Sequence, residues 1–165
     1  MRVGLLSDTH GYFDQKIYNY FEQVDEIWHA GDIGDISVLE KLSHFKQTRA
    51  VYGNIDGKTI RQSVPEVQIF SNDQFKILML HIAGKFGTYN PSTRELIQQE
   101  RPSMLVCGHS HILKIAFDSK HELLYLNPGA AGISGFHVVR TLVRFNLSDN
   151  KISELEVIEL GSRNR

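Results

Sequence analysis

An α/β fold of two β-sheets packed together, with helices outside, is what this sequence of 165 residues predicts, and three observations predict it. Five short apolar runs, at residues 3–6, 27–30, 50–52, 77–80 and 104–107, are each followed by a polar cluster, the mark of buried strands that end at a loop. Helical periodicity fills the gaps between the first three. Beyond residue 113 the pattern changes to paired runs around polar turns, which reads as antiparallel hairpins.

The elements follow in order. After the first strand, Asp14 can cap a helix in which Ile17, Phe21 and Val24 recur at helical spacing. After the second strand, Asp35 precedes Val38, Leu39, Leu42 and Phe45 in the same pattern, giving β-α-β-α-β through Tyr52. Asn90-Pro91-Ser92 signals a third helix, with Ser92 and Glu95 at capping-box spacing and Pro102 marking the end. Residues 115–117 and 123–126 flank the polar stretch 118–121, and residues 138–145 and 152–160 flank Ser148-Asp149-Asn150-Lys151. These are two hairpins. No Gly-x-Gly-x-x-Gly follows the first strand, so a plain dinucleotide-binding sheet is disfavoured.

Composition narrows the class. With 41% hydrophobic residues and no repeat or linker-like stretch, the chain reads as one domain over residues 1–165. A net charge of -1 gives no broad basic field, which argues against nonspecific nucleic-acid binding. Cys107 is the single cysteine, so no internal disulfide forms, and its apolar run reads as a buried reduced thiol. No apolar stretch approaches the roughly 20 residues of a membrane span, and the expectation is a cytoplasmic protein without membrane contact.

The polar clusters behind the strands carry the chemistry. They are Asp8-Thr9-His10, Gly31-Asp32, Gly53-Asn54, His81 and Gly108-His109-Ser110-His111. Asp8 and His10 are two apart, so on a chain leaving its strand still extended they point to one side, and His109 and His111 repeat the arrangement. Asp32 is a natural bridge, because a carboxylate has two oxygens while a histidine nitrogen serves one cation. Singly, each residue has a plain explanation: Asp as a helix cap, Asn as a turn former, His as a hydrogen-bonded strand end. Together those explanations need several unrelated coincidences at one kind of strand terminus, whereas a site for two metal ions needs none.

The ordered motif set resembles the calcineurin-like metallophosphoesterase superfamily, and within it the small YfcE-like branch, whose following loop Asn127-Pro128-Gly129 resembles. The resemblance implies a four-layer sandwich of two mixed β-sheets flanked by helices. It implies one metal held by Asp8, His10, Asp32 and His111, and another by Asp32, Asn54, His81 and His109. Mixed imidazole and oxygen donors suit manganese, iron, zinc, cobalt or nickel, with manganese the first choice on resemblance. The expected substrate is a phosphate ester, a diester more than a monoester, attacked in line by a water or hydroxide shared between the cations. Two divalent ions bring four positive charges and Asp8 with Asp32 cancel two, so a local cationic field attracts the anion.

Two departures from the superfamily pattern bear on this. Many members read Gly-Asn-His-Glu where this chain has Gly53-Asn54-Ile55-Asp56, so the candidate leaving-group acid is missing and esters with readily departing anions are favoured. His81-Ile82-Ala83-Gly84 has a longer apolar step where relatives place Gly directly after His, a departure that would shift the loop and makes His81 the least secure of the expected ligands. Asp56 reads either as an orienting partner of His10 or as a solvated turn residue. His29 reads as a packed, hydrogen-bonded strand residue ahead of a support for the site, His44 and His121 as surface positions, and His137 either as a strand-start residue with no catalytic role or as one that reaches substrate.

Three rival functions stand beside this one. A eukaryotic retromer subunit of similar fold has a compromised metal site, so the alternative to an enzyme is a non-catalytic protein-binding scaffold. Residues 53–59 come one residue short of a phosphate-binding Gly-x4-Gly-Lys-Thr loop, and Pro65 discourages the helix such a loop requires. A metal-dependent DNA nuclease would need DNA-contacting additions that 165 residues do not accommodate. A small homo-oligomer is compatible with everything above.

Overall fold

The computed structural model describes residues 1–72, 74–148 and 151–164, and no helix in them is long and apolar enough to cross a membrane. The strands are β1 (Arg2–Leu6), β2 (Glu26–His29), β3 (Gln47–Ala50), β4 (Val67–Asn72), β5 (Phe75–Leu80), β6 (Met104–Val106), β7 (Leu113–Asp118), β8 (Leu123–Pro128), β9 (Val139–Ser148) and β10 (Lys151–Ser162). The helices are α1 (Lys16–Tyr20), α2 (Ile36–Phe45), α3 (Lys58–Ser63) and α4 (Pro91–Glu100). One sheet has the order β10-β9-β1-β2-β3 and the other β4-β5-β6-β8-β7. Each has a parallel trio, β1-β2-β3 or β5-β6-β8, extended by antiparallel strands, so both sheets are mixed.

Side-chain alternation along the strands builds the layers. Val3, Leu5, Trp28, Val143 and Phe145 from the first sheet meet Ile77, Met79, Met104, Val106 and Leu126 from the second in a buried core between the sheets. On the outer face of the first sheet, Leu6, Ile27 and Leu142 pack with Ile17 and Phe21 and with Val38 and Leu42 of α2. On the outer face of the second, Leu78, Leu80, Leu105 and Cys107 pack with Ile97 of α4. The result is the expected four layers, and strands buried on both faces explain why the sequence shows continuous apolar runs rather than alternation.

Several elements differ from the sequence reading. The helix after Asp14 spans only five residues; Asp14 Oδ1 accepts from the Lys16 N–H, and Val24 is buried beyond the helix end. Asp35 caps α2 as expected, through Ser37 N–H at 2.8 Å. In α4 the cap is Asn90, which accepts from Thr93 N–H at 2.8 Å, and Pro91 takes the first helical position. Pro lacks an N–H and presets φ there, which moves the start two residues ahead of the Ser92–Glu95 capping box. β3 starts three residues and ends two residues earlier than the run at 50–52 suggests, although Val51 N–H still donates to His29 O. Two elements lacked a reading: α3, one and a half turns long and stopping two residues before Pro65, and β4, an edge strand with half-polar alternation. The second hairpin forms, and its turn residues 149 and 150 lie outside the described residues.

Trp28 anchors the core between the sheets, with no exposed surface and edge-on contacts to Phe70 and Phe145 at 5.1 and 5.7 Å between ring centroids. Trp28→Ala is expected to cost roughly 3–5 kcal/mol of stability, read as a lower urea midpoint at unchanged slope.

Candidate metal centre

The parallel strands of both sheets deliver their following loops to one edge, where the polar clusters meet. The loops do not leave the strands extended. Asp8, His10, Asp32, His109 and His111 all adopt left-handed backbone, with φ of 54°, 48°, 53°, 69° and 58°. Asp and His tolerate this region better than most residues, yet each position still costs about 1–2 kcal/mol. Hydrogen bonds between loops hold the conformation: Asp8 N–H to Gly31 O and His10 N–H to Asp32 O, both 3.0 Å, and His109 N–H to the Asp8 carboxylate at 3.1–3.2 Å. Asp8 and His10 therefore converge through a left-handed turn, not the extended chain expected from their spacing.

The side chains form two groups, Asp8 with His10 and His111, and Asp32 with His81 and His109; in each the donor atoms lie within 4.8 Å of one another. His109 and His111 are split between the groups instead of sharing one point. In the first group His111 Nε2 lies 3.3 Å from Asp8 Oδ1 and 3.2 Å from His10 Nε2. In the second, His81 Nε2 lies 3.2 Å from Asp32 Oδ1. Asp32 turns its other oxygen to the first group, with Oδ2 3.6 Å from His10 Nε2. Asn54 Oδ1 stands 3.0 Å from His109 Nδ1 at the exposed rim of the second group.

Glycines make this convergence sterically feasible. A Cβ on Gly53 would fall 2.0 Å from Asp32 Oδ1, and one on Gly31 would fall 2.6 Å from His81 Nδ1. The Gly-Asp and Gly-Asn pairs of the sequence thus mark places where one loop's backbone touches another loop's donor side chain.

The donor set tests whether cations fit. Asp8 and Asp32 are buried, and His81 Nε2 is a buried nitrogen without a hydrogen-bond partner. His81 Nδ1 donates to Ala30 O at 2.7 Å, which leaves Nε2 with a lone pair aimed at the space beside Asp32. Burial opposes charge on Asp32, but the His81 contact, the Ile55 N–H and nearby His10 outweigh it and hold the carboxyl below the usual carboxylate range. For His81 burial works downward, and the Asp32 and Asp8 carboxylates outweigh it and raise the imidazole. Two carboxylates and four imidazoles facing shared points, one nitrogen orphaned, are a donor set that divalent transition ions satisfy.

Residues 1–150 match the calcineurin-like phosphoesterase superfamily domain. The chain belongs to this superfamily. A probable metallophosphoesterase of Methanocaldococcus jannaschii is 27% identical over 165 residues, covering 96% of this chain and 82% of that protein. Among solved structures, an archaeal phosphodiesterase superposes with a TM-score of 0.77 at 21% identity, covering 97% of this chain and all of that one. Zinc-complexed Vps29 of Entamoeba histolytica superposes with a TM-score of 0.72 at 16% identity, over 99% of this chain and all of that one. The superfamily hydrolyses phosphate esters with divalent metals, and this phosphoesterase domain has two groups of residues able to hold them.

Support for the two groups comes from residues whose roles spacing did not reveal. Asp56 neither touches His10 nor faces solvent: it is buried and accepts from the backbone N–H groups of Ile33, Gly34 and Gly53 at 3.1, 2.6 and 2.7 Å. It ties the loop carrying Asp32 to the loop carrying Asn54. Asn127 does similar work, donating to Gly108 O at 2.8 Å and accepting from Gly129 N–H at 3.0 Å. His29 is packed as expected. Its Nδ1 accepts from Gly31 N–H, so Nε2 donates to Thr9 Oγ1, which donates to Ile33 O. Complete burial pushes His29 down to about 4.

This gives a signed pH dependence. Below the ordinary histidine value of about 6.5 the unfolded chain takes a proton that buried His29 refuses until about pH 4. Stability of the metal-free protein should therefore fall by about 3 kcal/mol across that window. His81, raised by its carboxylates, acts in the opposite sense but above 6.5. Urea midpoints at pH 7 and pH 4.5 check this, and His29→Asn, which accepts from Gly31 without titrating, should flatten the difference.

Proposed function

We propose that the chain is a dinuclear metal-dependent phosphodiesterase, and the observation that carries the reading is Asp32, a member of one three-residue donor group, turning its second oxygen toward the other group. Asp8, His10, Asp32 and His111 hold one cation, and Asp32, Asn54, His81 and His109 the other. When bound, such a pair supplies Lewis acidity that polarises a phosphoryl group and acidifies water at neutral pH. The protein's part is placement. Asp32 and Asp8 fix the spacing of the charges while cancelling only half of them, so a phosphate ester is drawn to this edge without a basic surface. Ser7 Oγ, 2.5 Å from Asp8 Oδ2, and the His109 N–H keep the Asp8 carboxylate oriented.

Diester preference rests on the mouth of the site. Ile55 is 46% exposed beside Asn54, where a proton donor to a leaving group would sit, and its only polar contribution is a backbone N–H to Asp32 Oδ1 at 3.2 Å. Mixed oxygen and imidazole donors with no thiolate suit manganese, iron, zinc, cobalt or nickel, and manganese is the cation proposed, on the resemblance to the superfamily. Cys107 is buried, and burial pushes its thiol up to about 12, so it is inert toward the site; a single cysteine that forms no internal disulfide is compatible with the cytoplasmic setting proposed. The second reading, a partner-binding scaffold, draws on apolar exposure next to His111: Phe136 is 89% and Ile112 67% exposed.

Chelator-stripped protein given manganese is expected to hydrolyse an aryl phosphodiester faster than its monoester, and Asp32→Asn to lower that rate by at least 10²-fold. Faster monoester turnover would overturn the diester preference, and inertness with every transition metal would favour the scaffold. Across diesters of rising leaving-group pKa, the rate is expected to fall steeply; a flat series would show that some group supplies a proton.

A further inference from the structure

Near His111 lies a contact that no metal ligand explains. His137 Nε2 is 2.9 Å from Gly132 O, and its Nδ1 is 3.2 Å from His111 Nδ1. A carbonyl oxygen only accepts, so the proton of a neutral His137 sits on Nε2 and its Nδ1 is an acceptor. The proton between the rings therefore belongs to His111 Nδ1, and His111 Nε2 is left as a bare lone pair. That lone pair faces Asp8 Oδ1 at 3.3 Å and His10 Nε2 at 3.2 Å.

We infer that His137 is a positioning residue: it fixes His111 in the tautomer and orientation a cation needs, through a relay running from Gly132 to His137 to His111. The relay extends to Asp8, because Gly132 N–H donates to Asp8 O at 3.0 Å. Two members of one donor group, Asp8 and His111, are thereby tied to a single glycine. An independent feature supports the contact. Gly135 has φ of 122°, and a Cβ there would fall 2.1 Å from His111 Nδ1 and 3.3 Å from His137 Nδ1. The backbone gives up a side chain where the two rings meet.

The inference rests on the metal-centre reading for its purpose but not for its test. Long-range nitrogen–proton NMR on metal-free protein at pH 8 should show His111 as the Nδ1–H tautomer. His137→Phe, which offers no acceptor, should shift His111 toward the Nε2–H form, and His137→Asn, which returns an oxygen near the former Nδ1, should restore it. Manganese titration followed by electron paramagnetic resonance should then show one of two sites weakened 10–100-fold in His137→Phe and regained in His137→Asn. Wild-type His111 in the Nε2–H tautomer, or a tautomer and affinities untouched by His137→Phe, would overturn the inference. If the wild type bound no manganese at all, the proposed activity would fall instead, and the tautomer result would still decide what His137 does.

Discussion

Asp32 has to present two oxygens in two directions from a buried position, and much of the edge around it follows from that demand. A buried carboxylate aimed at nitrogens on both sides cannot be left to rotate, so its backbone is fixed in the left-handed region and its flanking amides are tied down. Asp56 accepts the N–H groups on either side of the gap, from Ile33 and Gly34 behind Asp32 and from Gly53 on the facing loop. Gly53 comes so close that no Cβ fits. One carboxylate is thus positioned by another that never touches the donors themselves.

The same arrangement explains why so much strain collects at one edge. Five donor residues share a costly backbone conformation, and their hydrogen bonds join neighbouring loops, those after β1 and β2 within one sheet and those after β1 and β6 across the two. Asp8 follows β1 and His109 follows β6, so the His109 N–H on the Asp8 carboxylate joins the two sheets at their ligand edge. The layered core below makes this affordable: strands buried on both faces are too stiff to relieve the strain by shifting. Rigid strands below and strained loops above are one device, in which the fold supplies the stability and the loops spend it on geometry.

How much of this was legible in the sequence depends on the range of the interaction. The central strands, α2 and the two hairpins announce themselves through local periodicity, because burial on one or both faces writes a pattern into consecutive residues. α3 and β4 do not, since six residues of helix bury only Ile60 and an edge strand keeps half its surface. The donor residues were legible because each sits behind an apolar run. Their backbone was not: residue spacing cannot distinguish an extended exit from a left-handed turn. The role of Asp56 was not legible, because two of its three partners are amides 22 and 23 residues away and none has a side-chain signature. The role of His137 is hidden for the same reason, its contact with His111 crossing 26 residues.

Accounting for every histidine sharpens the chemistry that this phosphoesterase can perform. The chain has eight. His10, His81, His109 and His111 belong to the donor groups, and His29 and His137 have both ring nitrogens committed to supporting hydrogen bonds. His44 lies near the end of α2, leading into β3, and His121 sits in the turn before β8 against Asp118. Both positions are at the starts of parallel strands, the opposite edge from the donors. No imidazole is therefore left over to protonate a departing group, and Ile55 fills the rim position where such a donor would stand. In the proposed reaction the leaving oxygen must carry its own negative charge or draw stabilisation from the cations, so the chain's selectivity is set by the acidity of the alcohol it releases. A site whose histidines are all spent on placement trades breadth of substrate for a fixed arrangement of charge.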